Sequence, residues 1–240
     1  MSSTDPALRP AHWLLLGALF VLALAPRLYS AQTIGWHWDS PGSFTLINFD
    51  EAGSCRAALE GFDYTPFIGR QTIAIGEMLG NEVPAGTVGD YGKVRAYCHG
   101  PEHLLVARTF SAVVGAATVV LLGLMGWLLL PELPRVGLTA AALLALSGFH
   151  ISESHSGTVD APSVFFIYLF LLVLMLAIAR GWRGLVAASP LLLVPAIWTK
   201  YWLFAVFAYA SVIPRRAWDY AATGFDTPRL VILVLALCVL

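Results

Sequence analysis

The chain has 240 residues, 58% of them hydrophobic and only 12% charged, with a net charge of −1 and a mean hydropathy of +0.73. That composition excludes an ordinary soluble domain, and the missing basic field excludes a nucleic-acid binder. It predicts an all-α, polytopic transmembrane bundle in contact with the lipid bilayer.

The apolar runs are judged against the roughly 20 residues that cross a bilayer as a helix. Residues 12–28 form the first, flanked by Trp13 and Tyr29, rings suited to the membrane interface. The run reaches Pro26-Arg27 without a small-residue cleavage site, so it reads as a retained span rather than a signal peptide.

Residues 30–103 are too long for a simple connection and hold nine of the fifteen acids but four of the fourteen bases. Within them "DEAGSCRAALEG" predicts a short helix with Asp50 as its cap, Arg56 and Glu60 paired four apart, and Gly61 at its end. Two adjacent carboxylates admit two readings. Asp50 and Glu51 can simply start that helix, or they can form a site in which one takes a proton while the other binds a cation or orients a partner. Successive helical residues point about 100° apart, so the two do not share one task. Residues 67–80 have helical apolar spacing and predict a helix along the membrane surface. The glycine- and proline-rich residues 81–100 read as turns. Cys55 and Cys98 both fall in this segment and can pair in an oxidising compartment.

The second span is expected over residues 104–130, with Arg108 near its outer end as a headgroup contact or an anion ligand. A third covers 136–149 and a fourth 162–179. Between them "FHISESHSGTVDAP" reads as a polar turn with Asp160 capping the fourth helix, although His155 and Asp160 are also metal-binding types. Residues 184–213 exceed one span and are expected to hinge near Trp198-Thr199-Lys200-Tyr201. Lys200 would then reach the outer surface, where an ammonium can hold a phosphate. The last apolar run, residues 230–240, is too short to cross. The expectation is therefore six to seven spans with the last incomplete, residues 1–240 being the N-terminal part of one larger transmembrane domain. Lys and Arg in the short loops place the N-terminus in the cytoplasm and residues 30–103 and 150–160 outside. No CxxC, HExxH, Walker A or GxGxxG pattern occurs, which speaks against a zinc hydrolase, an ATPase or a dinucleotide enzyme.

Five segments in order resemble the GT-C membrane glycosyltransferases, in particular the branch of protein O-mannosyltransferases and lipid A aminoarabinose transferases. They are "APRLYS", "NFDEAGSCRAAL", "YCHGPEHLLVARTFSAVVGAATVVLL", "LSGFHISESHSGTVDAPSVFFIYLFLL" and "IWTKYWLFAVF", spread over residues 20–210. The resemblance implies inverting transfer of a sugar from a polyprenyl-phosphate donor to an acceptor hydroxyl on a protein, lipid or polysaccharide. The reaction would take place at the outer face of a bacterial or archaeal cytoplasmic membrane. It implies Asp50 as general base with Glu51 beside it, Lys200 and Arg108 toward the donor phosphate, and His155, Asp160 and His99 lining the cavity. A divalent metal (Mg, Mn or Zn) on Glu51, His155 and Asp160 is a further expectation. Family members usually carry about twice as many spans. A transporter using the same charges, or a non-catalytic subunit of a membrane complex, is the alternative.

Overall fold

A computed structural model describes residues 10–37, 43–61 and 64–200. Among these, ten α-helices and two short 3-10 turns account for the regular structure, and an isolated bridge between Trp36 and Phe44 is the only β pairing. Three helices are long and apolar enough to cross a membrane: α1 (Pro10–Thr33), α5 (Pro101–Leu129) and α8 (Asp160–Ala179). A fourth crossing is formed if α6 (Pro134–Leu146) and α7 (Gly148–His155), bent by 60° at their junction, count as one broken span. The further spans expected beyond Lys200 lie outside the described residues.

α5 is the axis of the bundle, packed by α1, α6 and α8. Lipid offers no hydrophobic drive for helices to associate, so close backbone approach supplies the attraction. A Cβ at Gly126 of α5 would stand 2.5 Å from Gly137 Cα of α6, so the two glycines let these helices touch. Alanines continue the seam: Ala23 of α1, Ala116 of α5, and Ala141 and Ala145 of α6 form one core. Larger side chains fill the opposite side, where Met125 meets Phe170, Leu171, Leu174 and Met175 of α8 and Leu193 of α10 (Leu193–Thr199).

The bend between α6 and α7 strips carbonyls of their helical donors, and no water in the bilayer replaces them. Arg27 of α1 does so. Its guanidinium, wholly buried, bonds the carbonyls of Ala145 (3.3 Å) and Leu144 (3.5 Å), its own Ala23 carbonyl, and His150 Nδ1 (2.7 Å).

The segment between α1 and α5 folds on itself. A 3-10 turn, Phe49–Ala52, runs into α2 (Gly53–Glu60), followed by α3 (Pro66–Met78) and α4 (Tyr91–Cys98). Ala52, Cys55, Ile73, Val94 and Cys98 make a small core of their own, and Cys55 is disulfide-bonded to Cys98. The expected Arg56–Glu60 pair forms at 2.6 Å, and Gly61 ends α2 in the left-handed region at φ 68°. α3 packs on α2, α5 and α10. Its crossing with α2 depends on Gly69, where a Cβ would run into the Ser54 carbonyl.

Four expectations are corrected. Asp50 caps nothing: the cap of the 3-10 turn is Asn48, whose side chain accepts the Asp50 amide, and α2 starts without a side-chain cap. Residues 91–98 are helical rather than a turn, because Asp90 accepts the Lys93 amide and offsets the cost of Gly92. Residues 148–155 are helical as well, started by the Ser147 side chain on the His150 amide. Asp160 is the first residue of α8 but makes no capping bond, its carboxylate being turned elsewhere.

Candidate functional site

The two neighbouring carboxylates of the 3-10 turn have opposite fates. Glu51 is 1% exposed and Arg108 fully buried. Arg108 donates from Nε to Glu51 Oε1 and from Nη2 to Oε2, both at 2.8 Å, in a bidentate pair. The same carboxylate accepts the amides of Ile47 and Gly157, each at 3.2 Å. Arg108 also donates to the Ile34 carbonyl at 2.5 Å and lies 4.9 Å from the Phe44 ring centroid. The Trp36–Phe44 bridge therefore closes over the guanidinium, which reaches neither headgroups nor solvent; its expected surface contact is not formed.

Gly157 is part of the same clamp. A Cβ there would meet the Ala107 Cβ at 3.0 Å and the Arg108 amide at 3.3 Å, so glycine lets this backbone rest on α5 and reach Glu51 without pushing α5 aside. One buried carboxylate thus joins α5, the turn before α2 and the turn that launches α8.

Asp50, one residue earlier, is half-buried, and its carboxylate makes no hydrogen bond or ion pair among the described residues. Its neighbour is Tyr64, whose ring lies against Gly53 at 3.3 Å from the position of a Cβ. Burial, then the charge of Asp50, then that of Asp160 push the Tyr64 phenol up to about 12. Two carboxylates from distant parts of the chain therefore flank one phenol that stays protonated.

Asp160 forms an ion pair with Lys200, both groups partly exposed. α10 ends at Thr199, and Lys200 adopts an extended conformation at φ −154°, ψ 134°, at the place where the hinge was expected. Thr65 fixes that end by donating to the Thr199 carbonyl at 2.7 Å. Phe67, Phe166 and Trp198 pack edge to face beside it, with centroids 6.1 Å apart in each pair with Phe67.

His155 sits at the end of α7 beside the Glu51–Arg108 pair, its Nδ1 3.1 Å from the Ile151 carbonyl. His99 follows the end of α4. Burial, and after it Arg95 and Arg56, lower its pKa from the ordinary imidazole value. Asp50 and Asp160 thus flank Tyr64, Lys200 pairs with Asp160, and the buried Glu51–Arg108 pair lies beside His155. Among the described residues no three His, Cys, Asp or Glu side chains stand together as ligands, and Glu51's oxygens serve Arg108. Nothing in the sequence marks Tyr64 or Arg27 as a site residue. Their only sequence signals were a tyrosine closing "GFDY" and an arginine at the end of an apolar run.

The long apolar helices and the folded, disulfide-bonded segment between the first two of them define a membrane-embedded helical protein. No family model matches the chain, and neither a curated protein nor a solved structure does.

Proposed function

We propose that this chain belongs to a membrane glycosyltransferase of the GT-C type. In this reading it moves a sugar from a polyprenyl-phosphate donor to an acceptor hydroxyl, with inversion. The observation that carries the reading is the carboxylate of Asp50, unpaired among the described residues, beside Tyr64 and near the Asp160–Lys200 pair. A hydroxyl is a weak nucleophile, and a carboxylate within reach of it contributes about 10²–10⁴-fold as a general base.

Asp50 takes the acceptor proton as the acceptor oxygen bonds to the anomeric carbon. The bond from that carbon to the phosphate oxygen breaks on the opposite side, and the phosphate leaves as an anion. Lys200 stabilises that charge as a point cation. Asp160 holds the ammonium in place when no donor is bound. Glu51 and Arg108 act as positioning residues.

The test is transfer of a radiolabelled sugar from polyprenyl phosphate to membrane acceptors by the protein, or a longer chain containing it, in proteoliposomes. Transfer by wild type that is lost in Asp50→Asn supports the reading. Absence of transfer with every donor, together with solute flux across the vesicles, overturns it in favour of a transporter, a reading that the broken α6–α7 span favours.

A further inference from the structure

A second feature lies on another face of α5 and involves none of the charged residues above. α1, α3 and α5 leave between them a cavity of about 400 Å³ that opens sideways. Leu105, Val106, Phe110 and Val113 of α5 form one wall, and Ile75 of α3 with Leu79 just beyond its end forms the other. The polar groups at its edge satisfy each other, Gln32 donating to the Thr109 hydroxyl at 2.8 Å. No lining side chain is charged and all but Gln32 and Thr109 are apolar, so the walls favour hydrocarbon over a phosphate.

Size narrows the occupant further. A helix is about 10–12 Å across, so a single turn would use up the whole volume. Residues 105–113 cover about 12 Å of α5 at 1.5 Å per residue, the length of a stretch of extended hydrocarbon. The walls are also continuous with the lipid-facing surface: Leu79 is 74% and Val113 40% exposed, and Met78 beside them is 77% exposed. The cavity lies in the first part of α5, so its occupant comes from the leaflet nearest residues 30–103.

We propose that this groove holds one acyl chain of a bilayer phospholipid, wedged between α3 and the α1–α5 pair as a bound lipid that seats the folded segment on the bundle. The chain is held by its hydrocarbon and not by its headgroup. This inference does not depend on the glycosyltransferase reading.

The test uses phosphatidylcholine with a diazirine in one acyl chain, reconstituted with the protein, and maps the photolabel by mass spectrometry. Labelling of residues 75–79 and 105–113 is expected to exceed labelling of the lipid-exposed Leu143 and Leu146 of α6 at least fivefold. Val106→Trp and Val113→Trp, which fill the groove, should each remove that excess while leaving α6 labelling and the melting temperature in place. Thr109→Ala, which takes away the hydroxyl but not the space, should retain it. Labelling no greater in the groove than on α6, or unchanged in both tryptophan variants, overturns the proposal. Displacement of the label by an equimolar amount of polyprenyl phosphate, or crosslinks from the groove to another protein segment in place of lipid, overturns it equally.

Discussion

Arg108 holds both carboxylate oxygens of Glu51 inside the bundle, 57 residues away in sequence, and this pair fixes where the folded segment sits on α5. Two buried charges gain little over an apolar pair, yet removing one partner strands the other at a cost of about 3–5 kcal/mol. Arg108→Leu alone and Glu51→Leu alone are therefore expected to lower the melting temperature sharply in detergent. The double variant should lose less than the sum of the two single variants, because neither charge is then left unpaired, although the Ile47 and Gly157 amides still lose their acceptor. Equal, additive losses would show that the two side chains act separately.

Asp50 stands one residue away and makes no such bond, so its removal should cost nothing in folding. Asp50→Asn is expected to melt within about 0.5 kcal/mol of wild type, as substitutions away from packed or bonded groups do. Under the proposed reaction it lowers kcat about 10²–10⁴-fold with little change in donor KM. Lys200→Ala should show the reverse emphasis, a raised KM for the polyprenyl-phosphate donor. Loss of stability in Asp50→Asn comparable to that in Glu51→Leu would remove the distinction between the two carboxylates.

Tyr64 offers a test of the site's electrostatics that needs no substrate. Its phenol is pushed up to about 12 by burial and by Asp50 and Asp160, against 10.0 for an unperturbed tyrosine. The folded state thus holds the proton more tightly than the unfolded state. The stability linked to this proton is fully present below pH 10 and is lost as pH rises toward 12. In an ultraviolet titration of the folded protein, Tyr64→Phe should remove a phenol that ionises late. Asp50→Asn should move that phenol to lower pH. An early-ionising Tyr64 would separate Asp50 from Asp160 and dissolve the cluster.

Much of this arrangement was legible in the sequence where the cause was local. The Arg56–Glu60 spacing, Gly61 as a helix end, and the apolar runs that became α1, α5 and α8 follow from neighbours along the chain. What failed depended on partners far away. Asp50 and Asp160 look like helix caps until Asn48 is seen to take the cap and Lys200 to take Asp160. Arg108 looks like a headgroup contact because nothing in its own helix announces Glu51. Arg27 is invisible for the same reason, since its ligands are carbonyls exposed by a bend in another helix. The α4 helix was obscured by Gly92, whose low propensity is outweighed by the Asp90 cap and by burial of Val94 and Cys98.

The disulfide joins α2, which follows directly on Asp50 and Glu51, to the end of α4, just before α5. It closes a loop of 43 residues, for which the chain-entropy relation gives about 4 kcal/mol of stabilisation. Both cysteines are at most 1% exposed, so reductant reaches them only when the segment opens. Mild thiol treatment of the folded protein is therefore expected to leave the melting temperature unchanged. Cys55→Ala with Cys98→Ala should lower it and weaken the hold on α2. Because Glu51 remains clamped by Arg108 on α5, the loss should fall on α3 and α4 first. Hydrogen exchange would register faster amide exchange over residues 66–98 than at the Ile47 and Gly157 amides that bond Glu51. Uniform acceleration across all of these would mean that the segment and its clamp unfold as one unit.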